Sequence, residues 1–340
     1  MNSANKKAVA LLSGGLDSAL AIRMMQNQGF EVLSLHFVNP WEDPKAKENG
    51  KAAQSAKKLN VEMRLITKGP DYINLLRSPK HGYGSGMNPC IDCRIHLLRT
   101  AKTIMEHESA LCIITGEVLG QRPMSQMRPQ LDLIERESGT RGVLLRPLCA
   151  HYFPPTRVEE AGLIDRTQLL KLNGRGRGPQ LEMAKRFGLE SIESGGPGCL
   201  LTDPVYAQKA KDLYAHRGDV IDLDYRLLAV GRHFRLDNET KAVVARDLDE
   251  ADKLATLLRP GQTLFEPDNF DGPSVLLDGD DSARNLRRIF MILGAYTKPK
   301  KVPDPNHATL LVKRHKQADE HFVFEWRPVS VDELDPWRLG

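Results

Sequence analysis

Long apolar runs are missing: nowhere do about 18 consecutive apolar residues occur, the minimum for a membrane-spanning helix. Two lysines precede the first apolar segment as in a signal peptide, but Asp17 interrupts it and the stretch before Ser13 is too short. A soluble, cytoplasmic protein without a membrane partner is therefore expected. Cysteine is scarce, five in 340 residues, which excludes a disulfide-stapled scaffold and leaves reduced thiols that ligate or react. A second Cys-x-x-Cys pair is absent, so a zinc site would lack its fourth ligand. Net charge is only +4, which permits nucleic-acid binding through a local patch without indicating it. Internal repeats and low-complexity segments are absent too.

What is present begins with AVALLSGGLDSALAIRMM, Ala8 to Met25. Residues 8–12 suit a strand buried on both faces, Ser13-Gly14-Gly15 a sharp turn, and 16–28 a helix. Such a turn offers an anion its backbone N–H groups, the Ser13 and Ser18 hydroxyls and the positive end of the helix dipole. It lacks the Gly-Lys-Ser/Thr ending of the common nucleotide loop. Further strands are expected at 31–38, 60–67, 109–117 and 142–148, with a lysine-rich helical stretch at 44–59. Strands alternating with helices imply an α/β fold, a doubly wound parallel sheet with ligands at the carboxyl ends of its strands.

After about Leu201 the pattern changes. Residues 226–247 read as two strands joined at Asp237-Asn238-Glu239, followed by helices at 249–258 and 282–296 and strands at 273–278, 308–314 and 321–326. The expected domains are 1–205, nucleotide-binding, and 216–340, a smaller α+β domain.

MNPCIDCRIHLLRTAKTIM places Cys90 and Cys93 just before an amphipathic helix, and SGGPGCLLTDP places Cys199 on a glycine-proline loop. Two thiols separated by two residues can face one metal or cluster or form a reversible disulfide, and a loop lets a third converge. Cys112 and Cys149, within and just after apolar strands, read as buried packing residues.

LLSGGLDSALA resembles the pyrophosphatase loop, or PP-loop, of the ATP-dependent adenylating enzymes, whose fold is adenine nucleotide alpha hydrolase-like. TGEVLGQRPMSQ followed by VLLRPL is similar to segments of the tRNA 4-thiouridine synthases, and Asn-Pro-Cys-x-x-Cys-Arg to the tRNA 2-thiouridine synthases. The resemblance covers 7–204. LLAVGRHFRLDNETKAVVARD resembles, more weakly, the RNA-binding module of ribosome-quality-control proteins. The RNA-binding domain that precedes the loop in 4-thiouridine synthases, and the rhodanese extension of some of them, are not apparent.

The resemblance implies ATP-dependent thiolation of uridine in tRNA: the carbonyl oxygen is adenylated, pyrophosphate leaves, and sulfur from sulfide or a persulfide carrier replaces the oxygen. Ser13, Gly14, Gly15, Asp17 and Ser18 then hold the phosphates, with Asp17 orienting Mg²⁺ or the loop itself. His36 and Phe37 either border the adenosine or form a strand-end packing pair. Gly116 and Gln121 meet substrate or nucleotide. Cys90, Cys93 and Cys199 either bind a 4Fe-4S cluster or relay sulfur as a persulfide. Arg122, Arg146, Arg175 and Arg177 are candidate RNA contacts, as are Arg232, Arg235 and Lys241 on the expected hairpin. Three alternatives stay open: an amide-forming adenylating synthetase, which shares the loop but does not need the cysteines; thiolation of a small metabolite; and a non-catalytic RNA-binding factor.

Overall fold

The computed structural model describes residues 6–195 and 198–340. They form two units, divided between Cys199 and Leu200. The first contains β1 (Lys7–Leu11), α1 (Leu16–Asn27), β2 (Glu31–Val38), α2 (Pro44–Lys47), α3 (Lys51–Leu59), β3 (Glu62–Thr67), α4 (Pro70–Arg77), α5 (Cys90–His107), β4 (Cys112–Ile114), α6 (Arg128–Ser138), β5 (Leu144–Leu145), α7 (Arg157–Glu160) and α8 (Gly178–Phe187). Its strands make one parallel sheet in the order β3-β2-β1-β4-β5. The order reverses beside β1, and that switch opens a crevice at the carboxyl ends of β1 and β4.

Side chains alternate across β1. Ala8, Ala10 and the following Leu12 join a layer with Leu16, Leu20, Ala56 and Ala184, while Val9 and Leu11 join another with Leu98, Ala101 and Ile134. Both faces are thus covered by helices, the doubly wound arrangement that the alternating pattern implies. β4 and β5 are shorter than their apolar runs because the chain beyond Ile114 and Leu145 leaves the sheet to form the loops of the site. The lysine-rich stretch is two helices, the second entered through Gly50.

The second unit contains α9 (Pro204–His216), α10 (Asp222–Leu228), β6 (Arg232–Arg235), β7 (Lys241–Val244), α11 (Leu248–Thr256), β8 (Gln262–Pro267), β9 (Val275–Asp278), α12 (Ala283–Tyr296), β10 (Ala308–Arg314), β11 (Glu320–Phe324) and β12 (Arg338–Leu339). Its antiparallel sheet runs β11-β10-β8-β9-β7-β6-β12. Phe234, Ala242, Val275 and Leu310 pack there with Ile289, Ile292 and Leu293 of α12. Arg226–Leu228 begins no strand, contrary to the sequence reading. It ends α10, whose start is fixed by the Ile221 N–H donating to the Asp224 carboxylate at 2.9 Å. β8 escaped that reading because its strongly apolar core is only Leu264-Phe265.

Candidate active site

The turn after β1 is held by its own hydroxyls. Ser13 N–H donates to Ser18 Oγ at 3.3 Å, Gly15 N–H to Ser13 Oγ at 3.3 Å, and Ser18 Oγ–H to the Gly15 carbonyl at 2.8 Å. Gly15 caps α1 with no side-chain hydrogen bond, and the Leu16 N–H of the first turn donates to the Glu193 carbonyl at 3.0 Å. Gly14 has φ +86°, and a Cβ there would sit 2.8 Å from the Ala52 nitrogen at the start of α3, so only glycine serves. Gly116, just past β4, is as constrained: its Cβ would lie 2.5 Å from Asp17 carbonyl carbon. This approach brings the TGEVLGQ segment onto the loop, where Gln121 Nε2 donates to Asp17 Oδ2 at 3.1 Å. Ser13, Gly14, Gly15, Asp17, Ser18, Gly116 and Gln121 therefore share one place.

The two strand-end residues divide. His36 shares a 2.9 Å hydrogen bond between Nδ1 and the Leu12 carbonyl, and burial holds its pKa below the ordinary histidine value, favouring the neutral ring. Phe37 is buried in the apolar layer with Val9, Leu33 and Ile95, as its packing reading expects.

Cys90 and Cys93 lie inside the first turn of α5 rather than before it, three residues apart and hence on one face. Around them are residues the sequence did not single out. Tyr72 of α4, fully buried, donates its hydroxyl to Cys93 Sγ at 3.1 Å. Lys68, also buried, lies 3.7 Å from that sulfur, 4.2 Å from the centre of the Tyr72 ring and 2.6 Å from Asn39 Oδ1. Asn88 Nδ2 donates to Cys90 Sγ at 3.1 Å. Burial pushes the Tyr72 phenol well up, and the neighbouring Cys93 thiol adds to the shift. Two thiols on one helix turn with a buried lysine beside them form a donor pair that a thiolate-bound cluster could use once a third sulfur joined them. Among the described residues, however, no three His, Cys, Asp or Glu side chains converge tightly enough for a single metal ion. No disulfide joins the cysteines. Cys112 and Cys149 are buried, which pushes their thiols up to about 12 and about 11 and leaves them inert.

Glu117, next to Gly116, ties the two halves together. Arg94 of α5, one residue after Cys93, lies 3.1 Å from Glu117 Oε1, and Arg146 donates to Oε2 at 2.9 Å. Burial raises the carboxyl of Glu117, but the charges of Arg94 and Arg146 outweigh it and hold the pKa below the ordinary range. Arg146 also pairs with Glu135 at 2.7 Å and is 2% exposed. It is an internal brace and not an RNA contact.

The other arginine assignments divide similarly. Arg122 and Arg175 are exposed. Arg177 faces Asp17, with Nη1 3.6 Å from Oδ2. In the second unit Arg235 grips Asp212 through bonds of 2.9 and 2.6 Å, and buried Lys241 lies 3.6 Å from the same carboxylate. These two form no basic face, because Asp212 on α9 draws both inward. Arg232 lies over the Tyr296 ring at 4.9 Å and is half-buried.

Residues 3–151 match the family model of ThiI, described as a thiamine biosynthesis protein, and 231–338 match the NFACT protein RNA binding domain. A probable tRNA sulfurtransferase of Methanothermobacter thermautotrophicus is 34% identical over 42% of this chain and 36% of its own length. The tRNA-specific 2-thiouridylase MnmA of Methylobacillus flagellatus is 27% identical over 40% of each chain. The chain thus spans well under half the length of these curated relatives. Among solved structures, the U34-tRNA thiolase NcsA from Methanococcus maripaludis with its [4Fe-4S] cluster overlays only loosely, with TM-score 0.32 and 16% identity over 57% of this chain and 62% of that one. No described helix is long and apolar enough to cross a membrane. In its first unit the chain is similar to the PP-loop tRNA sulfurtransferases, and in its second to the NFACT RNA-binding domain.

Proposed function

We propose that this chain uses ATP to adenylate a uridine carbonyl oxygen in tRNA and replaces that oxygen with sulfur. The observation that carries the proposal is a single unit in which a serine-glycine phosphate loop, with Asp17 and Gln121 beside it, is linked through Glu117 and Arg94 to the helix that bears Cys90 and Cys93. An amide-forming synthetase would need the first half and not the second.

The chemistry assigns work to each part. The loop holds the β- and γ-phosphates while the uridine oxygen attacks the α-phosphorus; the bond to pyrophosphate breaks, and pyrophosphate leaves. The oxygen, now an AMP ester, becomes a leaving group, and the ring carbon becomes electrophilic. Sulfur then adds at that carbon and AMP departs. Asp17 would hold Mg²⁺ against the phosphates. Cys90, Cys93 and Cys199 would hold a 4Fe-4S cluster, which supplies an iron open to sulfide. Lys68 and Tyr72 hold Cys93 in place, and neutral His36 braces the end of β2 against Leu12. The second unit supplies RNA contact.

The test is an anaerobic incubation with ATP, sulfide and tRNA, read by nucleotide chromatography and mass spectrometry of digested tRNA. AMP, pyrophosphate and a thionucleoside are expected; ADP and phosphate would overturn the proposal. Full turnover by Cys93→Ala would point to the amide-forming class. Protein purified without oxygen is expected to hold about four irons and four acid-labile sulfides, lost in Cys199→Ala. Active but iron-free protein would replace the cluster with a cysteine persulfide, fed by a persulfide carrier.

A further inference from the structure

The arginine-bearing loop 173–178 is fastened to the phosphate site. Asn173 pairs with Leu119 in a parallel bridge, and Gly174 N–H donates to the Leu119 carbonyl at 2.8 Å. Gly120 lies so near that an added Cβ would come within 2.7 Å of Asn173 Oδ1. Both Gly120 and Gly174 have positive φ, +74° and +87°, which glycine adopts without strain, and the bare Gly120 lets the two segments lie against each other. Leu119 and Gly120 directly precede Gln121, so the loop rests on the segment that contacts Asp17.

The loop delivers Arg177 to that carboxylate. Its Nη1 is 3.6 Å from Asp17 Oδ2, and its side chain is 32% exposed against 16% for Asp17. Oδ2 also accepts from Gln121, whereas Oδ1 is buried without a hydrogen-bond partner. A partly exposed guanidinium therefore faces one incompletely bonded carboxylate on the first turn of α1, directly after the Ser13-Gly14-Gly15 turn. Planar, permanently charged guanidinium pairs two-pronged with phosphate oxygens, and about a third of this side chain is exposed to solvent.

We infer that Arg177 reads the terminal phosphates of the nucleotide: it neutralises Asp17 in the nucleotide-free protein and swings onto the β- and γ-phosphates when ATP enters. This rests on the ATP site proposed above, and it takes Arg177 away from the RNA role its sequence context suggests. Arg177 thereby distinguishes ATP and pyrophosphate from AMP, so it holds the substrate and lets the product AMP go.

The experiment is calorimetric titration of the full chain with ATP, pyrophosphate and AMP, alongside tRNA binding at fixed salt. Arg177→Ala is expected to weaken ATP and pyrophosphate about 10- to 100-fold, the scale of a charge-assisted contact, while AMP changes less than about twofold. Arg177→Lys should recover part of the loss. Lys185→Ala, the same charge change on the exposed surface of α8, should leave ATP binding as it is. Unchanged ATP affinity in Arg177→Ala, or equal losses for ATP and AMP, overturns the inference while the ATP site stands. Loss of tRNA binding with ATP affinity intact overturns it in favour of RNA contact. Wild-type protein that binds neither ATP nor pyrophosphate overturns the nucleotide site itself, and this inference with it.

Discussion

Two aspartates show how differently the units use charge. Asp212 in the second unit is enclosed: Arg235 holds both its oxygens, Lys241 lies 3.6 Å away, and His216 Nδ1 is 3.3 Å from it. Burial raises its carboxyl, but the Arg235 hydrogen bond and the neighbouring cations outweigh that and hold the pKa low. Asp17 in the first unit keeps Gln121, a longer approach from Arg177 and one unpartnered oxygen. A closed brace of buried charges resists loss of any member, whereas an incompletely bonded carboxylate beside a glycine turn is available to a ligand.

The largest effect expected from breaking this contrast is in stability. Asp212→Ala strands Arg235 and Lys241 without a counter-charge and should cost about 3–5 kcal/mol in urea unfolding of the second unit. Asp17→Asn should change stability by less than about 1 kcal/mol and still lose adenylation. Equal unfolding midpoints for the two variants would erase the distinction.

Gly116→Ala sharpens the other side. Its methyl would press on the Asp17 backbone, so a loss of about 1–3 kcal/mol in the first unit and weakened ATP binding are expected. Gly176→Ala, with open space around it, should do neither.

A pH test follows from Lys241, which burial pulls down to about 8 from 10.5. Because the folded pKa lies below the unfolded one, the unfolded chain binds more protons between them, and stability rises with pH across that window. The stability difference between wild type and Lys241→Met should therefore shift toward wild type from about pH 8 to 10, measured by denaturant titration. A flat difference would show that Lys241 titrates normally. The smallest change is expected from Arg232→Ala, which removes a ring contact worth about 0.5–1 kcal/mol. If Arg232 also meets a phosphate, the salt slope of tRNA binding should fall by about one in the variant.

Much of the first unit was legible in its sequence. A continuous apolar run in β1, buried on both faces, a Ser-Gly-Gly turn and a helix that follows at once are local features, and local features are written contiguously. The phosphate-loop residues and their meeting with Gly116 and Gln121 were readable for that reason, together with the rule that ligands bind at strand ends. Tyr72 and Lys68 were not. Nothing in their neighbourhood distinguishes them from a strand-end lysine and a helix tyrosine until α4 packs against α5 and brings the phenol to Cys93. The basic residues failed in the opposite direction. Arg146, Arg235 and Lys241 look like surface cations in the sequence, because the acids that consume them, Glu117, Glu135 and Asp212, lie 11 to 29 residues away.

The sequence by itself determined the α/β class of the first unit, the glycine turn between β1 and α1 and which two cysteines are buried packing residues, since backbone geometry and apolar context travel with the residues that carry them. Only the tertiary structure decided which charges are open and which are spent. A charge takes its role from its neighbours and its distance from water, and the fold brings those neighbours from far along the chain.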